Sequence, residues 1–276
     1  MAKSLALALS LVCALAGPAS AQTDPPPQLV LNPKVEITYG EPANAAFKPI
    51  LDRLKANQAL EQLSSLLGPL DLPAPLKVQV VQCDAPSRAY SPVTGITVCY
   101  EQIAKIEATA LKAPPNNVAT APQMAVAAFI QVLLHESALA IIDIYKIPVW
   151  GRANDAADRL AALIMLQFGP QIALKVVYGA VGFFEASERT WTGSDFASAT
   201  SPEAQRYYNY LCMAYGWSPD TFRGAVAQGY LPEQRSWRCP TEYQQAMTAF
   251  SATVMPHVNA AKLGQVYVNI PEITLP

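Results

Sequence analysis

The stretch from Met124 to Ile144 constrains the fold more than any other part of this sequence. It is apolar on nearly every side of a helix, as expected for a helix at the centre of a protein or in a membrane. Pro122 suits the first turn of such a helix. Several polar side chains would be costly in lipid, and we therefore predict a buried helix of a soluble protein: Gln131, His135, Glu136, Ser137 and Asp143.

Residues 1–21 have the pattern of a secretory signal peptide. Lys3 precedes an apolar run, and Ala19-Ser20-Ala21 is a typical cleavage signal. We predict a secreted or periplasmic protein whose mature chain begins at Gln22. The formal net charge of −2 offers no basic surface for nucleic acid or anionic lipid. We expect neither a nucleic-acid partner nor membrane insertion once the signal is removed.

The pattern along the mature chain predicts one domain after an extended, Pro-rich arm at 22–46. The domain, 47–276, divides into a sheet-containing N-terminal lobe at about 47–120 and a helical C-terminal lobe at about 121–276. Helical spacing covers 47–67, and alternation predicts a strand at 76–83 with two short strands around Pro92 and Gly95. The predicted fold is α+β and mostly helical, with a small antiparallel or mixed sheet before the central helix.

Four cysteines remain after signal cleavage, and an even number in an exported protein predicts two disulfides. Four cysteines allow three pairings, of which the local one joins Cys83 to Cys99 and Cys212 to Cys239. Their spacings do not resemble those of a zinc ribbon.

The central helix contains the pair His135-Glu136. In zinc peptidases a helix carries H-E-x-x-H, in which the two histidines bind the metal and the glutamate is the general base. This chain has the first histidine and the glutamate, but Leu139 occupies the position of the second histidine. A His-Glu pair alone is more often a hydrogen-bonded core pair than a catalytic site.

The flanking sequence resembles a bacterial family of uncharacterised zinc-metallopeptidase-type proteins. The resemblance runs from Cys83 to the last helix, in five separated segments that appear in order. These are Val98-Cys99-Tyr100-Glu101, Ala140 to Arg152 after His135-Glu136, Asp155-Ala156-Ala157-Asp158, Gln205 to Cys212, and the later landmarks Leu231-Pro232, Arg238-Cys239 and Glu242-Tyr243.

The resemblance implies a zinc site in which His135 is a ligand and Glu136 the base, below a cleft edged by the small sheet. It also implies a glutamate ligand and, four residues later, an aspartate that supports a histidine. In this chain those positions are Asn154 and Asp158. Thr200 stands where the family usually has a histidine. Two of three expected ligands are therefore replaced, and we predict that Glu136 is idle and that His135 and Asp158 form a structural pair.

Other polar residues near these segments leave alternatives open. Arg206 and Tyr207 invite a role in oxyanion stabilisation, although a surface arginine on a helix that packs its aromatic residues is the simpler interpretation. A metal could instead be held by His135 with Asp155 and Asp158, although Asp155 also suits an exposed position near a helix start. His257 lies near no other ligand type and is expected at the surface or hydrogen-bonded.

Three hypotheses for function follow. The preferred one is an exported, catalytically silent relative of metallopeptidases that needs no cofactor and binds a peptide or protein in the residual cleft. The second is an active hydrolase with a non-standard metal site, zinc included, that uses His135, Glu136 and Asp155 or Asp158. The third is a structural envelope protein held together by two disulfides.

Overall fold

The computed structural model describes residues 29–113, 119–187, 196–263 and 266. The predicted signal peptide, and the part of the predicted arm before residue 29, lie outside these ranges. The described residues form an α+β structure that is mostly helical, with one four-stranded mixed sheet. The predicted fold class is therefore confirmed.

The sheet has the order β1-β2-β4-β3. Strand β1 is Val35–Tyr39, β2 is Leu76–Val81, β3 is Arg88–Ser91 and β4 is Gly95–Cys99. The first three strands in this order are parallel, whereas β3 pairs antiparallel to β4 and forms one edge of the sheet. The β3–β4 turn depends on Gly95, which has a φ of 73° and would place a Cβ 2.3 Å from the carbonyl oxygen of Lys77.

The structure corrects the prediction of an extended arm that ends at residue 46. Residues 35–39 belong to the sheet, where β1 pairs with β2, and a 3-10 turn follows at Ala45–Phe47. The alternation of Val35, Ile37 and Tyr39 accounts for the strand, because alternate side chains of a strand point to the same face. The neighbouring prolines obscured this alternation in the sequence.

Three helices lie in the N-terminal half. Helix α1 is Lys48–Ala56, α2 is Ala59–Leu66 and α3 is Tyr100–Ala110. Two of them, α2 and α3, contact the sheet. The sequence predicts one helix over 47–67, but the structure has two helices there. They are interrupted at Gln58, which has a left-handed backbone conformation with a φ of 49°. Helix α3 begins directly after β4.

The central helix, α4, spans Ala121–Ile144. A capping box between Thr120 and Gln123 begins it. It packs against α3, against β3 and β4, and against helices α5, Ala153–Leu166, and α6, Pro170–Ala186. By length and composition α4 could cross a membrane, but 72% of its apolar window is buried inside the molecule, as in the core helix of a soluble protein.

The remaining helices complete the C-terminal half. They are α7 at Glu203–Trp217, α8 at Arg223–Ala227, α9 at Glu233–Ser236, α10 at Cys239–Thr253 and α11 at Ala260–Leu263. Helices α10 and α11 are separate elements. Pro256 lies in a 3-10 turn between these two helices, where the missing amide hydrogen of proline interrupts the helical pattern.

Covalent and non-covalent links join distant segments. The disulfides are Cys83–Cys99 and Cys212–Cys239, which is the local pairing. Residues 69–71 and 257–259 pair through two backbone hydrogen bonds, from Asp71 to His257 and from Asn259 to Pro69. We call this contact the clasp. His257 also stacks on Tyr145 at the end of α4, with ring centroids 3.9 Å apart.

Candidate functional site

The site lies where α4 faces α5. His135 on α4 is 1% exposed. Its Nδ1 lies 2.7 Å from Oδ1 of Asp158, and its Nε2 lies 3.1 Å from Oδ1 of Asn154. Asn154 and Asp158 are four residues apart on α5, and so both side chains lie on the same face of that helix. Both ring nitrogens of His135 are therefore occupied by oxygen partners.

The orientation of the Asn154 amide follows from its second contact. Its Nδ2 donates a hydrogen bond to the carbonyl oxygen of Ala199, at 3.2 Å. This contact leaves the amide oxygen to face the imidazole. Thr200 is next to Ala199 in the chain, but its backbone amide donates to Ser198. The resemblance implies a further histidine at the position of Thr200. In this chain the segment contacts the site through the backbone carbonyl of Ala199 instead.

Asp158 is the centre of a buried hydrogen-bond network. Arg206 on α7 donates from Nε to Oδ2 at 2.7 Å and from Nη2 to Oδ1 at 2.8 Å. Gln131 and Tyr210 add longer contacts to Oδ1, at 3.2 and 3.4 Å. The same aspartate therefore accepts hydrogen bonds from α4, where Gln131 and His135 lie, and from α7.

The charges in this network shift the pKa values of its members. Burial alone would raise the pKa of Asp158, but the charge of Arg206 and the hydrogen bonds from His135 and Arg206 hold it well below its usual range. Burial would lower the pKa of Arg206, and the charge of Asp158 outweighs this effect and raises it. Burial, and next the charge of Asp158, raise the pKa of Tyr210 well above its ordinary value. Asp158 and Arg206 are therefore a buried ion pair.

Glu136 points away from this network, towards the edge strand β3. Its Oε1 accepts a hydrogen bond from Nη1 of Arg88 at 2.9 Å, and its Oε2 accepts one from the backbone amide of Tyr90 at 2.8 Å. Glu136 is 3% exposed. Both carboxylate oxygens of the predicted base position are thus engaged by the edge strand.

The structure does not bring the other candidate ligands to His135. Leu139 packs on the hydrophobic core. The carboxylate of Asp155 accepts hydrogen bonds from Arg152 and Ser201. Asp143 accepts from Tyr90 and Lys146 near the end of α4. In this geometry Asp155 is not directed at a metal shared with His135, and Asp158 contacts only the Nδ1 side of the imidazole.

The interpretation of Arg206 as a surface residue is wrong. Arg206 is 4% exposed, and its guanidinium lies 4.4 Å from the ring centroid of Phe184 while it binds Asp158. A charged side chain can take this position because Asp158 compensates its charge. Tyr207, its neighbour, is partly buried and contacts the ring of Tyr208 edge to face, with centroids 5.1 Å apart. An oxyanion role for Arg206 and Tyr207 stays a prediction.

The residues at this site do not fit a zinc ion. Zinc in peptidases is held by three protein ligands and a water molecule. On the Nε2 side of His135 the described residues offer only the neutral amide oxygen of Asn154, which is a poor zinc ligand. Within the described ranges, three ligand atoms of His, Cys, Asp or Glu converge at one place, formed by Cys83, Cys99 and Glu101, and both cysteines there are in the disulfide.

Sequence reasoning missed three residues of this site. Arg88 begins a short strand two residues after Pro86, and no sequence pattern indicates that its guanidinium group points into the protein. Gln131 lies one helical turn before His135 on α4, and this spacing could have identified it. Tyr210 lies four residues after Arg206 on α7, and the same spacing applies.

Comparison with known proteins identifies the family. The model of the family DUF4344, described as "Putative metallopeptidase", matches residues 39–253. No curated protein and no solved structure shows a significant match to the chain. The match includes the sheet after its first strand, both helices of the site and the buried network around Asp158. Because it covers most of the sequence, the chain belongs to this family of putative metallopeptidases.

Proposed function

We propose that this chain is an exported, catalytically silent member of its family. The observation that carries the proposal is the ligand set around His135. Leu139 and Asn154 stand at two of the three ligand positions that the resemblance implies, and His135 contacts Asp158 and Asn154 through its two nitrogens. Without a metal to lower the pKa of a water molecule, Glu136 has no activated nucleophile on which to act.

The proposed compartment rests on two features. The first 21 residues have the pattern of a signal peptide. The two disulfides indicate an oxidising environment, because such bonds are rare in a reducing cytosol. A secreted or periplasmic location agrees with both features. Signal cleavage is tested by N-terminal sequencing of protein recovered from the periplasm or the medium, which should begin at Gln22.

Metal content and hydrolysis test the proposal directly. The purified protein should retain less than a tenth of an equivalent of zinc after dialysis, and it should not cleave casein in the presence of added zinc. The variant E136Q is the matched control, because it removes the base and keeps the shape of the side chain. Stoichiometric metal, or a hydrolytic activity that E136Q abolishes, would establish the active-hydrolase alternative in place of this proposal.

A binding role for a peptide or protein is a second part of the proposal. Trp150 is 99% exposed, in the connection between the two helices of the site. Val93 is also exposed, in the turn that follows the edge strand. Exposed apolar side chains mark a protein-binding surface when they form a contiguous patch, and this part of the proposal takes Trp150 and Val93 as members of such a patch. We call Trp150 and Val93 the rim. Because His135 and Glu136 are buried, the proposed partner contacts the rim and leaves the pair covered.

The binding role is tested with a fluorescently labelled apolar peptide. Peptide binding should weaken at least fivefold in W150A. The matched control is W237A, because Trp237 is also well exposed but lies between α9 and α10. Equal affinities in wild type, W150A and W237A would favour the third hypothesis, a structural envelope protein without a binding site at this rim.

A further inference from the structure

Arg88 stands out among the charged residues of the site because its partner occupies the position of a catalytic base. In β3, backbone groups that face β4 alternate with groups that face away from it. The amide of Cys99 donates to Ser87, and so residue 87 bonds to β4, whereas the amide of Tyr90 points away and reaches Glu136. The Arg88 side chain is 21% exposed and also ends at Glu136.

Each buried carboxylate of the site pairs with a guanidinium group. The site contains two buried carboxylates, Glu136 and Asp158, and two guanidinium groups, Arg88 and Arg206. Arg206 uses Nε and Nη2 to bind Asp158. Among the ion pairs of the described residues, Arg88 is the cation that Glu136 contacts. Burying a carboxylate without such a partner costs free energy of folding. Arg88 therefore compensates the charge of Glu136.

The charge of Arg88 acts on the whole site. Burial lowers the pKa of Arg88, and the positive charge of Arg206 lowers it further, while Glu136 and Asp158 act in the opposite direction. The guanidinium group is therefore within electrostatic reach of both carboxylates and of the other arginine. A divalent cation beside His135 would be repelled by Arg88 and would find Glu136 already hydrogen-bonded to β3.

We propose that Arg88 is a positioning residue that balances the charge of the Glu136 carboxylate, as a bound metal ion would, and holds Glu136 against the edge strand. The inference rests on the proposed function, and it adds a second barrier to metal binding besides the lost ligands. Replacing the lost ligands would then restore zinc affinity only in part. Removal of Arg88 would be needed for the rest.

The test compares zinc affinity in two reconstituted proteins, measured by competition with a chromophoric chelator. The first is L139H/N154E, which returns both ligands, and the second is R88M/L139H/N154E. Methionine keeps the hydrocarbon part of the arginine and removes its charge. We expect the triple variant to bind zinc at least tenfold more tightly than the double variant. R88K/L139H/N154E, which keeps the charge, should remain within about threefold of the double variant.

A matched control removes a different arginine. R235M/L139H/N154E should bind zinc like the double variant, because Arg235 pairs with Glu242 outside the site. Equal zinc affinity with and without Arg88, including no binding in either protein, overturns the inference. Zinc binding or hydrolysis by the wild-type protein instead overturns the proposed function, and so the two failures are distinguishable.

A second measurement applies if the reconstituted variants do not fold. In the wild-type background, R88M leaves Glu136 with an uncompensated charge and should lower Tm by about 10 °C. The variant R88M/E136Q removes that charge and should recover most of the loss. An equal Tm for R88M and R88M/E136Q would show that Arg88 does not act through Glu136, and would overturn the inference.

Discussion

The buried pair of Asp158 and Arg206 gives the sharpest prediction about stability. The variant R206M removes two charge-assisted hydrogen bonds, of 2.7 and 2.8 Å, and keeps most of the hydrocarbon of the side chain. Among the described residues, it leaves Asp158, which is 5% exposed, with His135, Gln131 and Tyr210 as hydrogen-bond partners. Breaking a buried pair in this way costs about 3–5 kcal/mol of unfolding free energy.

Arg235 provides a control with the same bonding but a different environment. It donates two hydrogen bonds of 2.8 Å to Glu242, and the two side chains are 28% and 25% exposed. Because solvent screens this pair, R235M should cost only about 1 kcal/mol or less.

Urea denaturation followed by circular dichroism measures both losses on the same protein. The double variant D158N/R206M should lose less than the sum of its single variants, because the two residues act as one unit. Equal losses in R206M and R235M would refute the view that burial makes the Asp158–Arg206 pair important for stability.

Three further predictions concern pH, covalent links and the exposed rim. The pKa of Asp158 in the folded protein lies below its unfolded value of about 4. Its contribution to the free energy of unfolding is therefore fully present above pH 4 and is lost as the pH falls below that value. Urea titrations should show a smaller change in unfolding free energy between pH 7 and pH 3 for D158N than for wild type. Removing the disulfide that spans a separation of 27 residues, with C212A/C239A, should cost about 3–4 kcal/mol in the same titration. The variant W150A should change the unfolding free energy by less than about 0.5 kcal/mol, because an exposed side chain has few contacts to lose.

The parts of the fold that follow from local patterns could be predicted from the sequence. The central helix was predicted from its apolar residues and Pro122, and the structure begins it at Ala121 and ends it at Ile144. The strand that begins at Leu76 follows from alternation. The helix Pro170–Ala186 was missed, because Gly179 and Gly182 inside it lower its helical propensity.

The candidate site was only partly accessible from the sequence. The family resemblance placed Asn154 and Asp158 at the site of His135, and the structure directs both side chains to His135. The contact between Arg88 and Glu136 joins residues 48 positions apart, and it depends on how the edge strand lies on α4. No local pattern encodes such a contact, because it depends on tertiary packing.

The clasp has a consequence for the order in which this chain can fold. Its central pair, Leu70 and Val258, closes a loop of almost the whole domain. Such long closures are entropically costly and form late, after nearby segments have associated. Residues 69–71 therefore complete this contact only after residues 257–259 have been synthesised. A fragment that stops before residue 257 would leave the main-chain groups of 69–71 without their partners, and would be an easy target for proteases.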